Sequence, residues 1–117
     1  MTTYKCRNSK LVMQKSPYDI IRMLVERVIL PKYPFLKLHD IDSYFLTNNR
    51  EYDVRFITKQ KLEPEVQMEI DTEIKNLFKV AGLDEKERYT RNKIATWFKT
   101  PRSKDWSFHA NPNYDHI

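Results

Sequence analysis

Glycine occurs once in these 117 residues, at Gly82, against a usual share of about 7%. The phosphate-cradling loops of nucleotide hydrolases, the dinucleotide fingerprint and the kinase-type loop each need several glycines at fixed offsets, so all three are excluded. The glycine-flanked elbow that exposes a nucleophilic serine is excluded for the same reason. Cysteine also occurs once, at Cys6, which leaves no internal disulfide and no thiolate zinc site. Long apolar runs are missing as well, since none approaches the roughly 20 residues that cross a bilayer. The start, Met1-Thr2-Thr3-Tyr4-Lys5-Cys6-Arg7, lacks the apolar stretch of a secretion signal. These absences lead to the expectation of a soluble, reduced, cytoplasmic protein without a membrane partner. Internal repeats and low-complexity segments are absent too.

What is present points to a folded chain. Apolar residues make up 40% and aromatic residues 13%, too much for a disordered segment. The length suits one domain with one core. Pro64 fits the first position of a helix. From there Val66, Ile70, Ile74, Leu77, Phe78 and Ala81 recur at spacings of three and four, a stripe of helical period. Gly82 follows as the left-handed closing residue, with Leu83 placed for the contact that completes such a cap. Asp84 and Glu87 have the spacing of a capping box, which predicts a further helix running to Pro101, with Ile94, Trp97 and Phe98 as its apolar face.

Upstream, Ser16-Pro17-Tyr18-Asp19 reads as a helix start, with Ile20, Ile21, Leu24, Val25, Val28 and Ile29 as a buried face and Pro31 as the stop. Residues 43–47 and 50–59 read as a hairpin turning at Asn48-Asn49, because Tyr52, Val54 and Phe56 alternate with Glu51, Asp53 and Arg55. A two-stranded ribbon is marginal alone, so a third strand is sought in 9–13 or 35–39. The reading is α+β, three main helices packed with a small antiparallel hairpin or sheet. It spans 1–117 as a single compact domain, with a basic N-terminal arm (1–15) and an aromatic C-terminal tail (102–117).

Charge is segregated more sharply than the net +5 suggests. Glu63, Glu65, Glu69, Asp71, Glu73, Asp84, Glu85 and Glu87 crowd one stretch, whereas Arg88, Arg91, Lys93, Lys99, Arg102 and Lys104 follow without an acid among them. On the expected helix, Arg88, Arg91, Ala95 and Lys99 fall within roughly 60° of one another. Such a cationic stripe neutralises phosphates and releases counterions, and Trp106 can stack on an unpaired base.

Function is therefore read as a small non-enzymatic binding or regulatory protein. It contacts nucleic acid, RNA or DNA, through a basic C-terminal helix, with Arg88, Arg91, Lys93, Lys99, Arg102, Lys104 and Trp106 as the binding residues. The alternative is a protein-binding regulator, an inhibitor or adaptor of viral or mobile-element origin, using the acidic helix face and the aromatic tail. An acidic protein surface is the other partner the basic helix would suit. Acidic and basic helix faces also offer a homodimer contact, or would neutralise one another within one chain.

Two oxygen- or imidazole-bearing clusters carry metal-ligand side chains. His39, Asp40 and Asp42 lie near Glu51 and Asp53 across the hairpin, a set that suits magnesium or manganese. His109, Asp115 and His116 supply three zinc donors where a closed site needs a fourth. Neither spacing matches a catalytic pattern, so no catalytic residue, metal or cofactor is assigned.

Overall fold

A computed structural model describes residues 16–84 and 90–107. Helix α1 covers 17–32 in three continuous pieces, Pro17–Leu24, a π-helical stretch Val25–Ile29 and a last turn Leu30–Lys32. Ser16 caps it by accepting the Asp19 N–H at 3.2 Å and donating back to the Asp19 carboxylate at 3.0 Å. The expected stop at Pro31 falls two residues too early. The widened π turn lets Leu30 N–H reach the Val25 carbonyl, and Pro31 then sits in the first turn of the final piece, where its missing N–H is tolerated.

Strands β1 (Lys37–Leu46) and β2 (Asn49–Ile57) pair antiparallel. Their turn uses Thr47 and Asn48, one residue earlier than the asparagine pair predicts, and puts the β-branched Thr47 at φ 54°. Among the described residues, the third strand comes from neither 9–13 nor 35–39. Residues 37–39 belong to β1 itself, and 9–13 lie outside the described residues.

Helix α2 (Pro64–Val80) follows the sequence expectation. Gly82 at φ 74° closes it, with Leu83 N–H on the Phe78 carbonyl at 3.0 Å and Gly82 N–H on the Lys79 carbonyl at 2.9 Å. Beyond it the expectation fails. Arg91–Lys99 is a strand, β3, lying parallel beside β2 in a three-stranded sheet of order β1-β2-β3. Among the described residues the fold is thus α+β with two helices rather than three, on a mixed rather than purely antiparallel sheet. The crossover β2-α2-β3 supplies the parallel pair.

The physical reason lies in period and composition. Ile94, Thr96 and Phe98 face the core as alternate residues of β3, opposite Tyr52, Val54 and Phe56 of β2. Ile94 and Phe98 are four apart, a spacing that one helical turn and two strand pleats satisfy equally. Thr90, Thr96, Trp97, Phe98 and Thr100 are the branched and aromatic types that strands favour.

Both helices cover the same side of the sheet. Ile21, Val25 and Ile29 of α1 and Ile70, Ile74 and Phe78 of α2 form one cluster with Ile41, Tyr52, Val54, Phe56, Ile94 and Phe98. Rings stack within it, Phe56 on Phe98 at 5.8 Å, with Phe78 tilted against Tyr52 at 6.3 Å. A bulge at His39 lets Leu38 and Ile41, three apart, both lie opposite core residues of β2. The other side of the sheet carries Asp40, Asp42 and Tyr44 of β1, Glu51, Asp53 and Arg55 of β2, and Arg91, Lys93, Ala95, Trp97 and Lys99 of β3.

Candidate functional site

Arg91, Lys93 and Lys99 remain on one face, but by strand alternation instead of helical period. Arg91 to Lys99 spans about 26 Å at the strand rise, roughly twice the reach of the same residues on a helix. Arg102 and Lys104 are exposed in the turn after Pro101, and Trp106 is half-buried beyond them. Arg88 lies outside the described residues. The helix wheel that grouped Arg88, Arg91, Ala95 and Lys99 does not apply, and Ala95 is fully buried.

The acidic helix does not neutralise this row. Glu69 accepts the Tyr33 hydroxyl at 2.7 Å and Glu73 pairs with Lys32, both from the end of α1 or just after it. Asp71 pairs with Lys75 one turn on, at 2.8 Å. Among the described residues, no carboxylate lies within ion-pair distance of Arg91, Lys93, Lys99, Arg102 or Lys104. A homodimer through acidic and basic helix faces loses its second member, because the basic segment is a strand.

The carboxylates of the hairpin that suit magnesium by type surround an arginine. Arg55 meets Asp40 at 3.1 Å, Asp42 at 3.3 Å and Asp53 at 3.9 Å, which places a guanidinium at the point where these oxygens converge. Among the described residues no three His, Cys, Asp or Glu side chains are grouped to hold a metal. His109, Asp115 and His116 lie outside the described residues. Burial pushes both Asp53 and Glu51 above the ordinary carboxylate range. For Asp53, the Trp97 and Tyr44 side chains and the Arg55 charge oppose that rise; for Glu51, Lys93 and Lys75 oppose it. The Tyr44 phenol is in turn pushed up to about 12 by burial and by Asp53.

A cleft of about 390 Å³ opens at the end of the sheet where β2 and β3 both finish. Thr58 follows β2 and Thr100 follows β3, held together by Thr58 N–H on the Lys99 carbonyl at 3.0 Å. The chain then doubles back, with Ser107 N–H on the Phe98 carbonyl at 2.8 Å, which brings Trp106 beside the end of the sheet. The Lys99 ammonium sits 4.9 Å from the Trp106 ring centre, the Arg55 guanidinium 6.0 Å from it, and the His39 ring meets it edge-on at 5.3 Å.

Gln67, 1% exposed, fixes the floor. Its amide donates to the Leu62 carbonyl at 3.0 Å and accepts the Ser107 hydroxyl at 3.4 Å, so one buried side chain ties the loop after β2 to the returning turn. Lys61, exposed, stands on the wall with Lys99, Ser103 and Asp105. The gap inside the apolar core holds about 10 Å³, room for one water at most.

Of the sequence-predicted residues, the fold gathers Lys99 and Trp106 in the cleft and sets Arg91 and Lys93 along the strand leading to it. Thr58, Lys61 and Gln67 were not foreseen. Their signal is visible only once 91–99 is read as a parallel partner of β2, because that pairing alone puts the residues after Ile57 next to those after Lys99. Among the described residues, no helix is long and apolar enough to cross a membrane. No protein-family model, no curated protein and no solved structure matches this chain.

Proposed function

We propose that this protein is a small binding protein for single-stranded nucleic acid, RNA or DNA, and that β3 and the turn after it form the contact surface. One observation carries the reading. Arg91, Lys93, Lys99, Arg102 and Lys104 form a run of cations, none within ion-pair distance of a carboxylate among the described residues, although Lys93 feels the charge of Glu51 across the sheet, and the run ends at the half-buried ring of Trp106. Cations at intervals along an extended backbone track phosphates, and an adjacent ring accepts a base, the combination that binds single strands with little sequence preference. A long flat row suits an extended strand better than a helix terminus would.

The test is binding of a fluorescent hexathymidylate followed by anisotropy. Arg91→Glu with Lys93→Glu abolishes binding while circular dichroism stays that of the parent. Clean protein with no absorbance excess at 260 nm, no affinity for the oligonucleotide and a specific partner in pull-down would favour the protein-binding reading instead. That reading starts weaker, because Glu69 and Glu73 of the acidic stripe already serve Tyr33 and Lys32.

A further inference from the structure

The cleft between the loop after β2 and the turn after β3 has a chemistry of its own. We propose that it holds one nucleotide unit, base against Trp106 and phosphate between Lys61 and Lys99. The proposal rests on the nucleic-acid reading above and deepens it: the cationic row binds backbone, and the cleft holds a single residue of the strand.

Its position favours a ligand. In sheets with parallel strands, small molecules settle outside the carboxyl ends, where the loops diverge. The cleft lies at the carboxyl ends of the parallel pair β2 and β3. Its volume of about 390 Å³ falls in the range of pockets that enclose small ligands, roughly 300–1,000 Å³. It is also braced in advance, because Gln67 links both walls through Leu62 and Ser107 and the Ser103 hydroxyl both donates to and accepts from the Asp105 backbone, at 3.0 and 3.3 Å. A ligand therefore meets walls that need little ordering.

The lining then selects the class. Two ammonium groups in the lining, Lys61 on the loop after β2 and Lys99 at the end of β3, outnumber the one carboxylate there, Asp105, and call for an anion. A half-buried indole on the same wall calls for a flat ring. Lys99 rests 4.9 Å from that indole, a surface cation–π contact worth only about 0.5–1 kcal/mol. A phosphate that draws off the ammonium and a base that takes the ring replace this contact together. A nucleoside monophosphate is the smallest common group carrying both features. Such a group comes either as a residue of a strand or as a free nucleotide.

Heteronuclear NMR of the indole N–H resonances, with Trp106 assigned by Trp106→Phe, separates these sources. The probes are adenosine monophosphate, inorganic phosphate and a 5′-phosphorylated hexathymidylate. Both nucleotide probes should move the Trp106 resonance, whereas phosphate alone should not. Trp106→Ala should weaken the oligonucleotide about five- to a hundredfold, the effect of one stacked base, Trp106→Phe much less, and Lys61→Ala about tenfold. If the monophosphate binds with this dependence and the oligonucleotide does not, the cleft is upheld with a free nucleotide as its source, and the strand reading fails.

Equal response to inorganic phosphate would overturn the nucleotide assignment. So would Lys61→Ala and Trp106→Ala proteins, melting at parental temperature, that bind the oligonucleotide within twofold of the parent. If those variants bind normally while Arg91→Glu with Lys93→Glu does not, only the cleft fails. If no probe binds the parent, both readings fail.

Discussion

The number of phosphates engaged by the cationic edge can be counted by salt. One phosphate for each of Arg91, Lys93, Lys99, Arg102 and Lys104 gives a slope of log K against log salt of about −3.5 for a single strand. Between about 50 and about 200 mM sodium chloride, affinity for hexathymidylate then falls about a hundredfold. Replacing Lys93 and Lys99 by alanine leaves three contacts, a slope of about −2.1 and a fall of about twentyfold over the same range. Lys93 is exposed on β3 and Lys99 stands at its end, so the fold should survive both changes, and a thermal melt checks that. Anisotropy titrations at four salt concentrations read the slope directly. A control at Glu26→Gln, exposed on α1 and outside the cleft lining, should leave the slope unchanged. The reasoning is refuted if parent and double variant share one slope, or if the parental slope is near zero while binding persists.

Three further outcomes follow from the fold. Thr47, a β-branched residue at φ 54°, should give way to asparagine with a gain of about 0.5–1 kcal/mol, since asparagine tolerates that conformation; a rise in melting temperature of roughly 2–4 °C is the readout. Gly82→Ala meets no atom within 4 Å of the new methyl, so its cost is purely conformational, about 1–2 kcal/mol from the left-handed φ of 74°; an unchanged urea midpoint would refute the cap. The third outcome concerns Glu51 and Asp53, whose folded pKa values are raised by burial. The native state then holds protons that the unfolded chain has released, so these groups cost stability progressively as pH rises from about 4. Glu51→Gln with Asp53→Asn should flatten that part of the profile and raise the urea midpoint at pH 7 relative to pH 4.5, and an unaltered difference between the two pH values would contradict it.

How much of this was legible depends on whether a local pattern had one meaning. Gly82 followed by Leu83 after an apolar stripe has one, and the observed cap matches it. Ser16 three residues before Asp19 has one as well. Ile94 with Phe98 has two, helix or strand, and Thr96, Trp97 and Thr100 tip the balance to the strand. Pro31 reads as a stop, and no local signal announces the π turn that carries the helix past it. The cations stand out for a sound reason, the lack of acids between Arg88 and Lys104, and that reason survives the change from helix to strand. Lys61 and Gln67 needed a long-range pairing that no window of sequence contains. Likewise Asp40, Asp42 and Asp53 look like cation ligands until the register shows Arg55 directly opposite Asp40.

The parallel pairing of β2 with β3 also bears on how the molecule forms. Asn49 faces Arg91 and Ile57 faces Lys99, so the central strand gains its second neighbour only after all of α2 is in place. The β1-β2 hairpin closes over a two-residue turn and can zip within microseconds, whereas docking β3 must overcome the closure entropy of the whole intervening segment. Refolding should therefore show early hairpin and helix signals followed by a slower arrival of Ile94 and Phe98 into the core, with the binding edge assembled last.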